Sequence, residues 1–215
     1  MRISGYIACA ALATIVATTP VRANVVAQAC ATPAQRANIV NYYAKMRPGV
    51  PLPVASRYFN LPEMAVASAI APDMGSVGVT SSEKTVEIWR SINAWGEQTR
   101  VQLVLSPQSK HAFAFPSLVP MIQGPPEDGY LDVYADKGNG VHSHLQLSEI
   151  AAVAATDLPT AKTGFRTRGI SFFDNSGELI IAVYASIKDG EPDPNAVKGF
   201  EATKALIAKL SPACS

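Results

Sequence analysis

The spacing of apolar positions changes near residue 95. From Thr32 to about Trp95 they recur at helical intervals, and from Thr99 to about Ser186 they alternate or cluster as in short strands. Thr32-Pro33 reads as a helix start, an N-cap hydroxyl followed by proline at the first helical position. Ile39, Tyr42, Tyr43 and Met46 carry that helix to Pro48-Gly49, which stops it. Residues 51–70 predict two short helices turning at Leu61-Pro62-Glu63, and residues 83–94 an amphipathic helix with Val86, Ile88, Trp89 and Ile92 on its apolar side. Strands are expected at 100–105, 111–115, 130–134, 141–147, 149–155 and 169–173, and from Leu179 onward. Asp174-Asn175-Ser176-Gly177 marks a hairpin between the last two, and a helix over 194–210 closes the chain. Short connections favour antiparallel pairing and segregated helices favour an α+β class: N-terminal helices, an antiparallel sheet of about seven or more strands, and a C-terminal helix.

The N-terminus changes the picture of where this domain works. Arg2 precedes an apolar run over residues 3–17, and Val21-Arg22-Ala23 places small residues at the −3 and −1 positions of a signal-peptidase site. Residues 1–23 therefore read as a signal peptide, and residues 24–215 as a single periplasmic or secreted domain. No later run approaches ~18 apolar residues, so no integral membrane segment is expected in the exported part. Removing Arg2 and Arg22 takes the charge balance from 18 − 17 = +1 to 16 − 17 = −1. A near-neutral exported chain offers no general attraction for nucleic acid. The helix pair over 51–70 has the outline of a helix-turn-helix, but with Arg57 alone as a nearby cation it reads as a packing unit.

Cys9 departs with the signal, leaving Cys30 and Cys214 near opposite ends. In an oxidising compartment these two invite a disulfide. Two unpaired thiols, or a lipid on Cys30 of the loosely lipobox-like Ala27-Gln28-Ala29-Cys30, are the other readings.

Familiar catalytic signatures are missing: no nucleophile elbow, phosphate loop, HExxH or CxxC occurs. What stands out is Val141-His142-Ser143-His144-Leu145, which holds two of the three histidines. Strand periodicity sets His142, His144 and Gln146 on one face, against Val141, Leu145 and Leu147 on the other. Imidazole suits zinc and haem iron, or serves as an ordinary surface group. Zinc would want further ligands, which Asp132, Glu149 or His111 would supply only through the fold. Haem would want an apolar slot, for which Phe113, Phe115, Tyr130, Tyr134, Phe172 and Phe173 are available. Arg166, Arg168, Lys137 and Lys162 are the cations available to its propionates.

Asp128-Gly129-Tyr130-Leu131-Asp132-Val133, followed by Gly140-Val141-His142-Ser143-His144-Leu145, resembles the Gly-Tyr-Phe-Asn-Leu … Gly-His-Ile segment of the HutX/ChuX haem-utilisation carriers. These carriers are related to the haemin-degrading HemS/ChuS proteins. Ile92-x-x-Trp95-Gly96, Ile150-x-x-Val153 and the run from Gly169 to Gly177 are similar to further blocks of the family, in family order. The resemblance implies antiparallel strands, often paired across a homodimer, and haem as the ligand, held in a cleft. By position, His144 matches the ligand histidine and Tyr130 the tyrosine of Gly-Tyr. The second histidine that some carriers bear after Trp-Gly is absent here, with His111 one strand later and His142 as rival candidates. The expected function is an exported haem carrier or store in iron acquisition, in contact with haem-uptake components of the envelope. The alternatives are haem degradation of the HemS/ChuS type, or a non-haem binding domain on the same scaffold.

Overall fold

The computed structural model describes residues 29–70 and 72–214; residues 1–23, which read as a signal peptide, lie outside them. Helix α1 (Pro33–Asn41) starts on a reciprocal cap: Thr32 Oγ1 accepts from Gln35 N–H, and Gln35 Oε1 accepts from Thr32 N–H at 2.8 Å. A π-helical turn, Tyr42–Met46, prolongs it before Gly49, whose positive φ of 69° takes the chain round. Helices α2 (Leu52–Phe59) and α3 (Glu63–Ala69) form the expected pair, separated by Asn60 in the left-handed region. Strand β1 (Gly75–Val79) follows, then α4 (Ser82–Asn93), capped by Ser81.

Eight strands come next: β2 (Arg100–Leu105), β3 (Phe113–Leu118), β4 (Met121–Ile122), β5 (Tyr130–Tyr134), β6 (His142–Gln146), β7 (Ala152–Pro159), β8 (Arg166–Phe173) and β9 (Leu179–Ser186). Helix α5 (Pro194–Ile207) ends the fold. All pairings are antiparallel, and they divide between two sheets: six strands in the order β1-β7-β8-β9-β2-β3, and three in the order β4-β5-β6.

The two sheets differ in how they are covered, and that difference creates the site. Helices α1–α3 lie on one face of the six-stranded sheet, so alternate residues of one strand enter different cores. Val153, Ala155, Ile170, Phe172, Ile181 and Val183 pack with Trp89, Ile92 and Phe200 of α4 and α5. Ala152, Ala154, Phe173, Ala182 and Tyr184 pack with Ile39, Leu52 and Met64 of α1–α3. This double burial produces the continuous apolar runs of β7–β9. It also removes Phe172 and Phe173 from any ligand slot, since both are fully buried.

The three-stranded sheet is covered on one side. Leu131, Val133 and Leu145 enter the α4/α5 core, while the other face of β5 and β6 meets solvent. Its attachment is specific: Trp89 Nε1–H and the Asn93 side-chain amide both donate to Pro120 C=O, and Asn93 Oδ1 accepts from Ile122 N–H at 2.9 Å. Cys30 and Cys214 are joined by a disulfide spanning 184 positions, which fastens the start of α1 to the C-terminal end. Among the described residues no helix is long and apolar enough to cross a membrane.

Candidate functional site

The hairpin register builds the site. Strands β5 and β6 pair so that Asp132 faces His144, Tyr134 faces His142 and Tyr130 faces Gln146. All six therefore share the wet face. His144 Nδ1 lies 2.6 Å from Asp132 Oδ1, and the Tyr134 hydroxyl donates to Asp132 Oδ2 at 3.4 Å. A carboxylate at Nδ1 selects the tautomer with the proton there and leaves the Nε2 lone pair facing outward. His142 packs edge-on to the Tyr134 ring, with centroids 3.7 Å apart, and its own ring lies 4.8 Å from that of His144. Burial, and then the neighbouring Asp132 carboxylate, push the Tyr134 phenol above its ordinary pKa, so it remains a hydroxyl donor at neutral pH.

The His144 side chain is 56 % exposed and stands at the edge of an open depression of about 460 Å³. Gln123, Pro125 and Glu127 form one wall, and Tyr130, Asp132 and His144 the other. Asp128 and Gly129, both at positive φ, turn the chain from that wall into β5. The wall residues escaped sequence reasoning because 119–128 carries no periodicity. The Asp132–His144 pair was within reach of it, since a hairpin closed by residues 136–140 fixes which β5 residue faces each histidine.

The other expected site residues lie elsewhere. His111 is exposed on the β2–β3 connection of the six-stranded sheet, and its ring centroid lies 6.4 Å from that of Phe113. Arg166 and Arg168 are on β8, in an ion cluster. Arg166 Nε reaches Asp157 Oδ1 at 2.5 Å, Arg168 Nε lies 3.3 Å from the same oxygen, and Lys204 Nζ lies 3.7 Å from Oδ2. Glu201 stands 3.9 Å from Arg168. Lys162 lies over the Phe165 ring. The structure thus brings Tyr130, His142 and His144 together with Asp132 and Tyr134, and leaves His111, Arg166 and Arg168 on the other sheet.

Two antiparallel sheets, flanking helices and a C-terminal helix make this an α+β protein of ChuX-like fold. The chain belongs to the haem utilisation ChuX/HutX family, whose model matches residues 79–203, more than half its length. A protein from Erwinia carotovora has a similar structure (TM-score 0.59, 18 % identity, covering 78 % of this chain and 98 % of its own). So has the heme binding protein ChuX (0.57, 16 %, 79 % and 99 %). The heme degrading enzyme ChuS of Escherichia coli O157:H7 is also similar (0.55, 17 %), and this chain covers half of it. No curated protein matches the sequence.

Proposed function

We propose that this protein binds haem on the β5–β6 face, with His144 Nε2 as axial ligand to the iron, and acts as an exported carrier or store in iron acquisition. The observation that carries the reading is the Asp132–His144 contact at 2.6 Å. A carboxylate behind a histidine fixes its tautomer and ring orientation for a metal. Family membership supplies the class of ligand. The donor set suits haem: an outward imidazole, aromatic edges at Tyr130 and Tyr134, and an open rim into which a planar ligand can slide. Glu127 and Asp128 repel carboxylates, so the propionates point away from that wall. Arg166 and Arg168 take no part in this reading, because both pair with Asp157 on the other sheet.

An open site with one protein ligand holds haem exchangeably, as a carrier requires. Handing haem to uptake components of the envelope, as a homodimer, is part of the same proposal. Export is inferred from the signal-like residues 1–23 together with the Cys30–Cys214 disulfide, a bond that persists in oxidising compartments.

Titrating the purified protein with haemin tests the reading. A shifted Soret band is expected, and it should be lost or altered in His144→Ala. No shift in the wild type would overturn haem binding, and an unchanged spectrum in the variant would overturn the role of His144. Adding a reductant under oxygen should leave the Soret band intact. Its decay with release of iron would replace the carrier with a degrading enzyme. Sequencing the N-terminus of protein from the envelope fraction should begin at Asn24.

A further inference from the structure

His142 and His144 present a geometry that haem does not use. Both project from one side of β6, two residues apart, so they cannot occupy opposite axial positions of one macrocycle. They can converge on a single small ion. With metal–nitrogen bonds of about 2.0–2.1 Å and a ring centroid about 1.1 Å behind each nitrogen, bond angles of about 90–110° at the metal place two centroids about 4.5–5.2 Å apart. The observed separation is 4.8 Å.

We propose that His142 and His144 form a bidentate site for a divalent transition-metal ion, favouring Cu(II) over Zn(II), with solvent completing the coordination. The preference follows the general order of divalent affinities for imidazole ligands. Asp132 stands behind His144 at Nδ1, where it orients the ring toward the ion. Among the described residues no group of three or more His, Cys, Asp or Glu side chains converges, so this is an open chelating pair and not a closed structural centre. The pair lies on a hairpin whose register sets both residues on one face before any ion arrives. One consequence rests on the haem reading: both ligands claim His144 Nε2, so the ion and haem exclude one another.

Electron paramagnetic resonance of the purified protein with one equivalent of Cu(II), and a competition titration against a copper chelator, test the site. The wild type should bind one Cu(II) with coupling to two imidazole nitrogens. His142→Ala and His144→Ala should each lose one nitrogen and at least about tenfold in affinity. Asp132→Ala should keep both nitrogens and bind about 10–100-fold more weakly. His111→Ala should match the wild type. Far-UV circular dichroism, with His142→Gln as a second variant, separates lost ligation from lost folding. A wild type without a two-nitrogen signal, or a His142→Ala protein that keeps that signal and its affinity, would overturn the proposal. Neither outcome bears on haem binding, which the Soret band of metal-free protein decides separately. Saturating Cu(II) should suppress the haemin-induced Soret shift, and an unimpeded shift would overturn the shared site.

Discussion

Asp132 and His144 are directly paired residues of the β5–β6 hairpin, and their side chains meet at 2.6 Å on its solvent face. An exposed hydrogen bond of this kind contributes little to stability. Its effect is on geometry, because it removes the freedom of a ring that is 56 % exposed. Asp132 is therefore a positioning residue. Asp132→Ala should weaken haem binding by about 10–100-fold, with Asp132→Asn intermediate because it keeps an acceptor for Nδ1–H. Haemin titrations of the three proteins check this, and superimposable curves would remove Asp132 from the site.

Much of this arrangement was legible in the sequence, and the failures have physical causes. The capped helix at Thr32, the helix pair before Ile70 and the strands from Arg100 to Ser186 follow from periodicity and turn residues. Strand β1 was missed because Gly75-Ser76-Val77-Gly78-Val79 holds two glycines and only two apolar side chains, Val77 and Val79. It exists through its pairing with β7, a tertiary contact. The two-residue β4 is held by Asn93 of α4, which local pattern cannot reveal. Alternation did place the histidine pair on one face. It gave no view of the 123–128 wall, nor of Asp157, which draws Arg166 and Arg168 into ion pairs on the other sheet.

The disulfide joins the beginning and end of the domain, so its contribution comes through the unfolded chain. Closing a loop of 184 positions corresponds to a ceiling of about 5 kcal/mol in the loop-entropy account. Cys30→Ser/Cys214→Ser should unfold at a lower urea concentration with a steeper denaturant dependence, since the uncrosslinked chain expands further. The helical far-UV signal should survive, because Cys30 and Cys214 are only partly buried at the margin of the α1–α3 core. A double variant with the wild-type midpoint would show that the link adds nothing.

Glu63 is a fully buried carboxyl at the start of α3, set between two sheet connections. Ser106 Oγ and Ser109 Oγ each donate to it at 2.5 Å, and Leu179 N–H donates at 3.2 Å. It joins the α1–α3 layer to the β2–β3 connection and to the start of β9. Truncation would leave the buried Leu179 N–H without its acceptor and Ser109 Oγ short of one, while Ser106 Oγ keeps His111 C=O. Each orphaned buried group costs about 1–3 kcal/mol. Glu63→Ala should therefore lower the unfolding free energy by several kcal/mol, and Glu63→Gln by less. Urea denaturation of both variants measures the difference, and equal midpoints for Glu63→Ala and wild type would refute the role.

Asp193 couples the first turn of α5 to the first residue of β2. Its Oδ2 accepts from Arg100 N–H at 3.1 Å and its Oδ1 accepts from Asn195 N–H at 3.0 Å. The Arg100 amide, followed by the Asn195 amide, holds the carboxyl below its ordinary value of 3.8. A carboxylate with a lowered pKa in the folded state stabilises above its unfolded pKa, and that contribution fades as pH falls through the folded one. Asp193→Ala should thus cost about 1 kcal/mol at neutral pH, the usual worth of an N-cap. The gap from wild type should shrink progressively as pH falls below about 4 and through the lowered folded pKa, as the carboxyl takes up its proton. Asp193→Asn keeps an acceptor for the cap, so its gap at neutral pH should be smaller. Urea midpoints at pH 7 and pH 3 decide the matter: a gap for Asp193→Ala that is as wide at pH 3 as at pH 7 would mean that the hydrogen bonds do not depend on the charge.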